Sequence, residues 1–478
     1  MEMRTLVPGE LDLPGVAAIA RREARLELAD ADRVAIQHAH DEADRISAQR
    51  PVYGRTTGVG AQRIAAVADD ESQLRRILTS HATTSGAPRS RERVRALLAI
   101  RIAQCAGGHG GVPLDVVTRL VQALSDDDLP VIHEGTAIGT GDLAVFAEIG
   151  VWLLADRPGL LQAGDALPLI SSNAASLADA ALGLEQIKEL SDAWLAVCAL
   201  SARATRANPE AFSPHAAAAA PYRGVSVVCE VLTALWPRGR RGARIQDSYS
   251  LRTVPHVHGL LLDELDYATF VVQQAIRTGS ENPLFADGTV VHHGGFYTNY
   301  LRAALRAVAN ALADAARAAT ARISAMGQPA VTGRSVFLTD GTPGASGTMP
   351  LEFLAATAAA QVAGWDAAYG ALSVPLSAGV EEFAPYTSQL AAAMLSGITD
   401  LRTLIGAELV TAARALADAA DWPDWPELEP LRIVADDRHD RDLTTDVVAA
   451  TGCLAPLAAR ITDMRTAGGG GASAPTPP

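Results

Sequence analysis

A tyrosine on a glycine-rich loop is the first feature of the sequence that could carry out chemistry. Tyr53 is followed closely by Gly54, Gly58 and Gly60. Glycine adopts backbone conformations that other residues avoid and keeps a loop mobile. A tyrosine in such a loop can act as a general base if its pKa is depressed, or it can simply line the rim of a pocket. The loop lacks the third glycine of a dinucleotide-binding fingerprint.

Other residue types argue against several kinds of chemistry. His292 and His293 adjoin glycines, but no carboxylate stands at ligand spacing and adjacent histidines rarely bind one ion, so we predict no metal site. Lys188 is the single lysine of the chain. A Walker A loop, which needs a Gly-Lys-Ser/Thr sequence, is therefore excluded, and pyridoxal phosphate chemistry is disfavoured.

The composition is that of a globular protein with a sizeable core, since 49% of the 478 residues are hydrophobic and 20% are charged. The net charge of −14 without a basic cluster disfavours nucleic acid as a partner. Four cysteines form no CxxC pair and lie in apolar helical contexts, which predicts buried free thiols. Because no signal peptide and no uncharged apolar run of about 18 residues appear, we expect a soluble cytoplasmic protein without a membrane partner.

Helical periodicity predicts the elements that position the candidate residues. Apolar residues recur at helical spacing over 16–44, 72–85, 90–105, 114–124, 142–154 and 400–420. Residues 174–205 predict a long helix with a polar N-cap cluster before it, and 303–325 and 351–368 are alanine-rich segments that suit the buried centre of a helix bundle. Strand-like alternation is rare, with a short hairpin arm at 288–292. The pattern predicts an all-α fold with little β structure.

We expect three regions along the chain. Residues 1–200 form an N-terminal helical region that contains the tyrosine loop, and residues 201–465 form a long-helix core with C-terminal helices. The tail over 466–478 consists of Gly, Ala, Ser, Thr and Pro and is predicted to be disordered.

An ordered set of short motifs resembles the aromatic amino acid lyases, the family of histidine, phenylalanine and tyrosine ammonia-lyases and related aminomutases. Besides the tyrosine loop, the set comprises Ser80-His81-Ala82, Gly135-x-x-Ile138-Gly139-Thr140-Gly141-Asp142, Gln246-Asp247-x-Tyr249-Ser250-Leu251-Arg252, Glu281-Asn282-Pro283-Leu284, Gly295-Phe296, Ser346-Gly347-x-Met349 and Glu381-Glu382. The order and spacing hold over roughly residues 50–390, and the segment 246–252 is the most specific.

The resemblance implies a fumarase-like core of long helices, a homotetramer and active sites shared between subunits, each acting on a small molecule. It implies that Tyr53 removes the β-proton of the substrate and that Arg252 holds the substrate carboxylate, with Tyr249 (a second catalytic residue) and Gln246 beside it. The remaining substrate-binding residues that it implies are His81, Ser171, Phe296 and Glu381. Structural interpretations stay open: an ion pair of Arg252 with Asp247 or with an acidic residue of another subunit, a helix-capping His81 and a solvated Glu381.

The cofactor loop departs from the family. In the family an Ala-Ser-Gly tripeptide cyclises to the electrophilic group MIO, whereas the matching residues here are Gly139-Thr140-Gly141. Dehydration of Thr140 would leave an extra methyl group, so the standard cofactor cannot form, although a methylated form can. Alternatively the loop is a tight turn before a helix that opens at Asp142. The Ala-Ser-Gly at 345–347 falls on a later segment of the family pattern and is interpreted as a coincidence.

Positions that support the cofactor are altered together. Ser171 occupies the place of one family asparagine, and Gly294-Gly295-Phe296-Tyr297 replaces a Gly-Asn-Phe-His segment. These changes favour a lyase-family enzyme without MIO, in which Tyr53 drives elimination of a leaving group or a cyclisation. Two alternatives remain: an ammonia-lyase or aminomutase with a methylated MIO from Thr140, and a catalytically inactive homologue that serves as a structural partner.

Overall fold

A computed structural model of the chain describes residues 3–67, 71–135, 137–366, 375–417 and 422–467. The first ten of the helices described are α1 (Leu13–Ala20), α2 (Asp30–Ser47), α3 (Glu71–His81), α4 (Arg91–Ala106), α5 (Leu114–Asp126), α6 (Leu143–Asp156), α7 (Ala166–Ile170), α8 (Ala174–Ala204), α9 (Pro214–Ala218) and α10 (Arg223–Leu235). They are followed by α11 (Tyr249–Arg252), α12 (Val254–Arg277), α13 (Asn299–Met326), α14 (Pro329–Thr332), α15 (Met349–Gly364), α16 (Thr387–Ser396), α17 (Ile398–Leu416), α18 (Glu429–Asp436), α19 (Thr444–Gly452) and α20 (Leu454–Ala467).

Extended structure is confined to two small sheets within the described residues. Strands β1 (Arg4–Leu6) and β2 (Ala24–Leu26) pair in parallel, and β3 (Leu284–Ala286) and β4 (Thr289–Val291) form an antiparallel hairpin. The all-α prediction is therefore confirmed, as is the hairpin arm predicted over 288–292.

Two compact units are formed, each from three segments of the chain. Unit 1 comprises Met1–Glu185, Tyr267–Arg306 and Ala368–Leu395, and unit 2 comprises Gln186–Asp266, Ala307–Ala367 and Ser396–Pro478. The boundary predicted near residue 200 falls inside α8, whose residues are divided between the units after Glu185.

In unit 1 the core centres on α4, which packs against α1 and α5. The side chain of Ser90 accepts a hydrogen bond from the Arg93 N–H and caps the start of α4. Residues from Val94 to Cys105 are buried, so α4 is covered on every side. Burying each Leu or Ile side chain there stabilises the fold by about 1.5–3 kcal/mol.

In unit 2 the helix α17 packs against α15, α18 and α19, and every residue from Leu404 to Leu416 is buried. Glu408 is the acidic residue in this stretch, and its carboxylate pairs with the buried Arg322 at 2.6 Å. Trp194 Nε1 and Ser201 Oγ also donate to it. Because all of these donors converge on the Glu408 carboxylate, its buried negative charge is compensated.

Several helix predictions can be compared with the structure. Residues 174–205 coincide with α8, and 303–325 lie within α13. The predictions over 351–368 and 400–420 coincide with α15 and α17 as far as Gly364 and Leu416, where these helices end. Residues 367–368 and 418–420 lie outside the described residues. The predicted tail lies outside them from residue 468 onward.

The prediction of one helix over 16–44 is wrong. The helix α1 ends at Ala20, Arg22 adopts a left-handed conformation with φ of 65°, and β2 follows. A new helix, α2, begins at Asp30, where the Asp32 carboxylate accepts the N–H of Ala29. The apolar spacing continues across the break because the strand also buries alternate residues.

All four cysteines are buried and unpaired, as predicted. By length and composition, one helical segment of the described residues, Thr444–Thr466, is apolar enough to cross a membrane, and 39% of it is buried inside the protein. A second would be added if α16 and α17 were counted as one broken helix. This is weak evidence for a membrane span, because buried core helices have the same properties.

Candidate active site

Unit 1 contains a cavity of about 950 Å³. Of the residues singled out in the sequence, Tyr53, His81, Thr140, Gly141, Ser171, Phe296 and Glu381 line it. They come from segments more than 300 residues apart in the chain, so the fold brings the tyrosine loop, the glycine loop and the late acidic segment to one place.

A tight turn presents Tyr53 to the cavity. The N–H groups of Arg55 and Thr56 both donate to the Val52 carbonyl oxygen. Gly54 has φ of 72°, and a Cβ at this position would lie 2.1 Å from Leu167 Cδ2, so only glycine lets the turn approach α7. The Tyr53 hydroxyl accepts the Gly60 N–H at 2.8 Å, which holds the phenol against the rest of the loop.

The environment does not depress the pKa of Tyr53. Burial raises the pKa of the phenol, and the negative charge of Glu381 raises it further. The hydrogen bond from Gly60 and the positive charge of Arg63 act in the opposite direction but are outweighed. A general base requires a depressed pKa, and unit 1 alone does not provide it for Tyr53, because a desolvated phenolate next to a carboxylate is unfavourable.

The segment 376–383 carries Glu381 to the cavity. Leu376 and Glu381 exchange backbone hydrogen bonds, which close a short loop around Ser377. The Ser377 hydroxyl accepts the N–H of Ala61, so this loop is attached to the tyrosine loop. Glu381 is exposed to the solvent of the cavity rather than buried.

His81 is the last residue of α3 and lines the cavity. Its Nδ1 lies 2.9 Å from the Ile77 carbonyl oxygen one turn earlier. Since a carbonyl only accepts, the neutral ring carries its proton on Nδ1, and Nε2 is the nitrogen that can accept a hydrogen bond from a ligand. The hydrogen bond of Nδ1 thus lies within its own helix, which agrees with the structural interpretation of His81, and its role in substrate binding stays a prediction.

Ser171 is fixed by a second residue of the cavity wall. Its hydroxyl accepts the N–H of Asn282 at 3.0 Å. The neighbouring Asn173 is buried, and its side-chain oxygen accepts a hydrogen bond from Gln104, which directs it away from the cavity lining. Asn173 therefore does not replace the family asparagine, because its side chain is already used in the core.

Behind this wall lies a buried ion pair. Arg101 Nη1 contacts Glu281 Oε1 at 2.5 Å, and Arg101 Nη2 donates to the Pro168 carbonyl oxygen. Both side chains are at most 1% exposed. The pair joins the segment before α8 to the segment that contains Asn282, so it supports the cavity without lining it.

The glycine loop has no room for the alanine of the family tripeptide. Gly139 has φ of 85°, and a Cβ there would lie 2.8 Å from Pro385 Cγ, 2.9 Å from Thr298 Oγ1 and 3.0 Å from Thr387 N. In addition, the Gly139 carbonyl oxygen accepts the Thr298 N–H at 3.1 Å and lies 2.7 Å from the Thr298 hydroxyl. Cyclisation of the family type would remove this oxygen and leave the buried Thr298 N–H without its acceptor.

Asp142, at the end of the glycine loop, caps a helix, but not the following helix that the sequence predicted. The helix α6 begins at Leu143, immediately after Asp142. The Asp142 carboxylate instead accepts the N–H and the hydroxyl of Ser176, and so caps α8. Burial raises the pKa of Asp142. The turn thus connects the starts of two core helices.

Gly295 is a second position without space for the side chain that the family has there. A Cβ on Gly295, where the family has an asparagine, would lie 2.7 Å from Cε1 of His293. That ring is fixed, since Nε2 donates to the Glu281 carbonyl oxygen and Nδ1 accepts the Gly295 N–H. The glycines at 139 and 295 therefore leave no room for the alanine and the asparagine that the family has at these positions.

Three predicted residues lie elsewhere. Gln246, Tyr249 and Arg252 belong to unit 2 and are not part of the cavity lining. The Arg252 guanidinium lies over the Tyr249 ring at 4.7 Å, and 71% of Tyr249 is exposed. Asp247 does not pair with Arg252, because its carboxylate is bound by Arg244 at 2.7 Å and by the Asn208 N–H. The motif therefore presents Arg252 and Tyr249 together on the surface.

The Ala-Ser-Gly sequence at 345–347 is used structurally. The N–H groups of Ser346 and Gly347 donate to the Asp440 carboxylate at 2.8 and 2.7 Å. A Cβ on Gly347 would lie 2.3 Å from the Phe337 carbonyl oxygen. This segment belongs to unit 2, whereas the cavity belongs to unit 1.

Some residues of the cavity were not assigned a role from the sequence. His292 accepts the N–H of Tyr53, and its pKa is lowered by burial and by the charge of Arg50. Asn282, Tyr297 and Phe383 also line the cavity, with the last two rings in edge contact. Asn282 could have been found from its place in the motif with Glu281. Across the described residues, no group of three metal-ligating side chains occurs.

Comparison with known proteins agrees with this architecture. The family model for aromatic amino acid lyases matches residues 11–158 and 156–424. Histidine ammonia-lyase from Symbiobacterium thermophilum is 29% identical over 438 residues, covering 85% of this chain and 86% of the relative. Histidine ammonia-lyase from Deinococcus radiodurans is 28% identical, covering 85% and 84%.

Solved structures show the same fold at lower identity. The ergothioneine-degrading enzyme ergothionase from Treponema denticola has a TM-score of 0.85 at 20% identity, covering 95% of this chain and 99% of that one. Tyrosine aminomutase from Streptomyces globisporus has a TM-score of 0.85 at 21% identity, covering 96% and 98%. Histidine ammonia-lyase from Trypanosoma cruzi has a TM-score of 0.85 at 22%, covering 96% and 95%. The chain belongs to the aromatic amino acid lyase family.

Proposed function

We propose that this protein is a carbon–nitrogen or carbon–oxygen lyase that acts on an amino acid or an amino-acid-derived substrate without the MIO group. One observation carries the proposal: the cavity keeps Tyr53, His81 and Glu381 of the family site, while the position of Gly139 has no space for the alanine of the cofactor tripeptide. The crowding at Gly295 supports the same conclusion.

Tyr53 acts as the base in this proposal. Its phenolate takes the proton from the carbon next to the one that bears the leaving group. The electron pair of the broken C–H bond forms the C=C bond, and the leaving group departs with the pair of its own bond and is then protonated. In a cyclisation, Tyr53 instead takes the proton of an internal nucleophile of the substrate, whose electron pair forms the new bond to carbon while the leaving group departs with the pair of its own bond and is then protonated.

The leaving group is better than ammonia. Without an electrophile that activates the amine, the site itself has to supply the whole reduction of the barrier for expelling ammonia. An amide, water or an internal nucleophile lowers that requirement.

The charge of the cavity favours a substrate with a cationic group. A cation next to Glu381 would offset the negative charge that opposes ionisation of Tyr53, and would thereby lower the pKa of the base when the substrate binds. The names of the relatives agree with this, since histidine and ergothioneine each carry a cationic nitrogen on the α-carbon and an imidazole-type ring. His81 Nε2 can accept a hydrogen bond from such a ring.

Arg252 holds the substrate carboxylate through its planar fork, with Tyr249 and Gln246 beside it. Tyr249 and Gln246 are exposed on unit 2, and Arg252 is half-buried beside them. We propose that these three residues complete the cavity of another copy in a homotetramer with shared sites. The 71% exposure of Tyr249 is what such a contact requires.

Two measurements test the proposal. The mass of the purified protein and of its peptide over 135–145 is expected to equal that of the unmodified sequence; a peptide two water molecules lighter would overturn the MIO-independent mechanism. The protein is then incubated with histidine, aromatic amino acids and their N-methylated and N-acylated derivatives, and unsaturated or cyclised products are detected by mass spectrometry. Turnover is expected to disappear in Tyr53→Phe, and retained turnover would contradict the role of Tyr53.

A further inference from the structure

A buried arginine lies two residues after the proposed base. Arg55 belongs to the turn that presents Tyr53, yet its side chain is only 4% exposed. Its Nη2 contacts the Asp44 carboxylate on α2. The side chain of Asp44 is 56% exposed, so the ion pair reaches from the interior of unit 1 to its surface.

The other side of the Arg55 guanidinium faces the segment that leads into α7. A Cβ on Gly164 would lie 3.2 to 3.4 Å from Nη2, Nε and Cζ of Arg55, so the guanidinium packs directly on the backbone of this glycine. Asp165 follows, with a side chain that is 1% exposed. Its Oδ2 accepts the N–H of Gln162, which fixes the carboxylate within its own segment.

The cluster contains buried polar atoms whose hydrogen-bonding capacity is not used. Arg55 Nε and Nη1 are buried without a hydrogen-bond partner, and so is Asp165 Oδ1. The remaining titratable neighbour is His40, whose Nδ1 lies 3.1 Å from the Gly111 carbonyl oxygen and 4.0 Å from Asp165 Oδ1. The positive charge of Arg55 acts directly on Asp165.

The two elements joined by this cluster are two walls of the cavity. The turn carries Tyr53, while the segment after Asp165 carries Leu167, Ile170 and Ser171, which line the cavity. The walls also touch at Gly54, which packs against Leu167. An apolar contact alone allows the turn to slide, whereas a buried charged fork fixes its direction.

We propose that Arg55 is a positioning residue for Tyr53, because it fastens the turn to α2 through Asp44 and holds it against the segment before α7 by packing on Gly164, next to the buried Asp165. This inference rests on the proposed role of Tyr53 as the base. It explains why a charged side chain is buried behind a loop of glycines: a mobile loop would place the phenol in many positions, and a base must stay within reach of one proton.

The test compares three variants of the full-length protein. Arg55→Met keeps the length of the side chain and removes the charged fork, and Arg55→Lys keeps the charge. Arg45→Met is the matched control, since Arg45 is 51% exposed and pairs with Glu42 on the same helix that carries Asp44. The ionisation of Tyr53 is followed by near-ultraviolet absorbance between pH 7 and 12. The signal of Tyr53 is the difference between each protein and the same protein with the additional substitution Tyr53→Phe.

We expect the pKa of Tyr53 to fall towards the ordinary value of about 10 in Arg55→Met, because the released turn exposes the phenol. Amide hydrogen exchange of residues 52–60 is expected to accelerate by about tenfold or more, while α4 is unchanged. Arg55→Lys should restore part of both signals, and Arg45→Met should resemble the wild type. An unchanged Tyr53 pKa and unchanged exchange in Arg55→Met would overturn the proposal.

Two further variants keep the test decisive if Arg55→Met does not fold. Asp44→Asn and Asp165→Asn weaken one side of the cluster each, and both are expected to move the two signals in the direction of Arg55→Met. Neither signal depends on turnover. If Tyr53→Phe retains turnover, the role of Tyr53 as the base is contradicted, while the attachment of the turn by Arg55 is still measured by the two signals. If Tyr53→Phe loses turnover but the two signals do not move in the Arg55, Asp44 and Asp165 variants, only the attachment is contradicted.

Discussion

Tyr53 and Glu381 line the same cavity and are coupled: burial first, and then the negative charge of Glu381, raises the pKa of the Tyr53 phenol. The proposed base is therefore protonated in the unit as it stands. A base of this kind becomes active either at alkaline pH or when a cation enters the cavity.

Glu381→Gln is expected to lower the pKa of Tyr53, since it removes a negative charge that opposes ionisation. The rising limb of the pH–rate profile, measured as kcat/KM with the substrate identified by the screen, should move to lower pH. Glu382→Gln is the matched control, because it changes a neighbouring carboxylate of the same cavity. A limb that stays in place, or moves to higher pH, would contradict the coupling.

Gly139→Ala is expected to destabilise the protein by about 3 kcal/mol or more, because the new Cβ meets Pro385 and Thr298 and the backbone is left-handed. The control is Gly159→Ala, which has φ of 89° but nothing within 4 Å of the new Cβ, and which should cost only about 1 kcal/mol. The free energy of unfolding in urea measures both. Equal losses would show that Gly139 is not crowded.

The same crowding bears on restoring the cofactor. Gly139→Ala combined with Thr140→Ser recreates the family tripeptide, but we expect the mass of the variant to remain that of the unmodified chain. Loss of two water molecules in this variant would show that the packing around Gly139 adjusts.

Breaking the ion pair behind the cavity is expected to be costly. Arg101→Met leaves Glu281 buried without its partner, and should lower the free energy of unfolding by about 3–5 kcal/mol. Arg101→Met combined with Glu281→Gln should lose less than the sum of the two single variants. The exposed pair of Arg75 and Glu71 is the control, and Arg75→Met should have little effect. Additive losses at 101 and 281 would contradict the coupling.

Asp165 gives a pH-dependent contribution to stability. Burial raises its pKa from 3.8 to about 6, against the charges of His40 and Arg55. Between about pH 4 and 6 the folded state therefore binds more protons than the unfolded state, and stability falls as pH rises through this window. In Asp165→Asn this fall should be reduced, as measured by urea unfolding between pH 4 and 7; Asp41→Asn, on an exposed carboxylate, should keep the slope of the wild type. A slope unaffected by Asp165→Asn would contradict the assignment.

Much of the fold could be predicted from the sequence. The helices α8 and α13 follow from long stretches with helical spacing of apolar residues, and all four cysteines are buried as their apolar contexts suggest. The error over 16–44 arose because β2 buries alternate residues, so its side chains fit the helical pattern across the break. Short strands inside an apolar region leave too few residues to separate the two periods.

The residues of the site were predicted less completely. Tyr53, His81, Ser171, Phe296 and Glu381 could be selected because they stand in motifs of a known family, and the structure places them around one cavity. Arg55 and His292 could not be selected in this way, since their roles depend on contacts with Asp44 and with the Tyr53 backbone rather than on a motif.

The sequence by itself determined that the chain is helical, that it belongs among the aromatic amino acid lyases, and that Thr140 stands where the cofactor serine is expected. Only the tertiary structure decided that Gly139 is crowded by Pro385 and Thr298, and that Asp142 caps α8 rather than its own helix. The physical reason is that periodicity and capping act over a few neighbouring residues, whereas crowding, burial and charge coupling arise between segments that only the folded chain brings into contact.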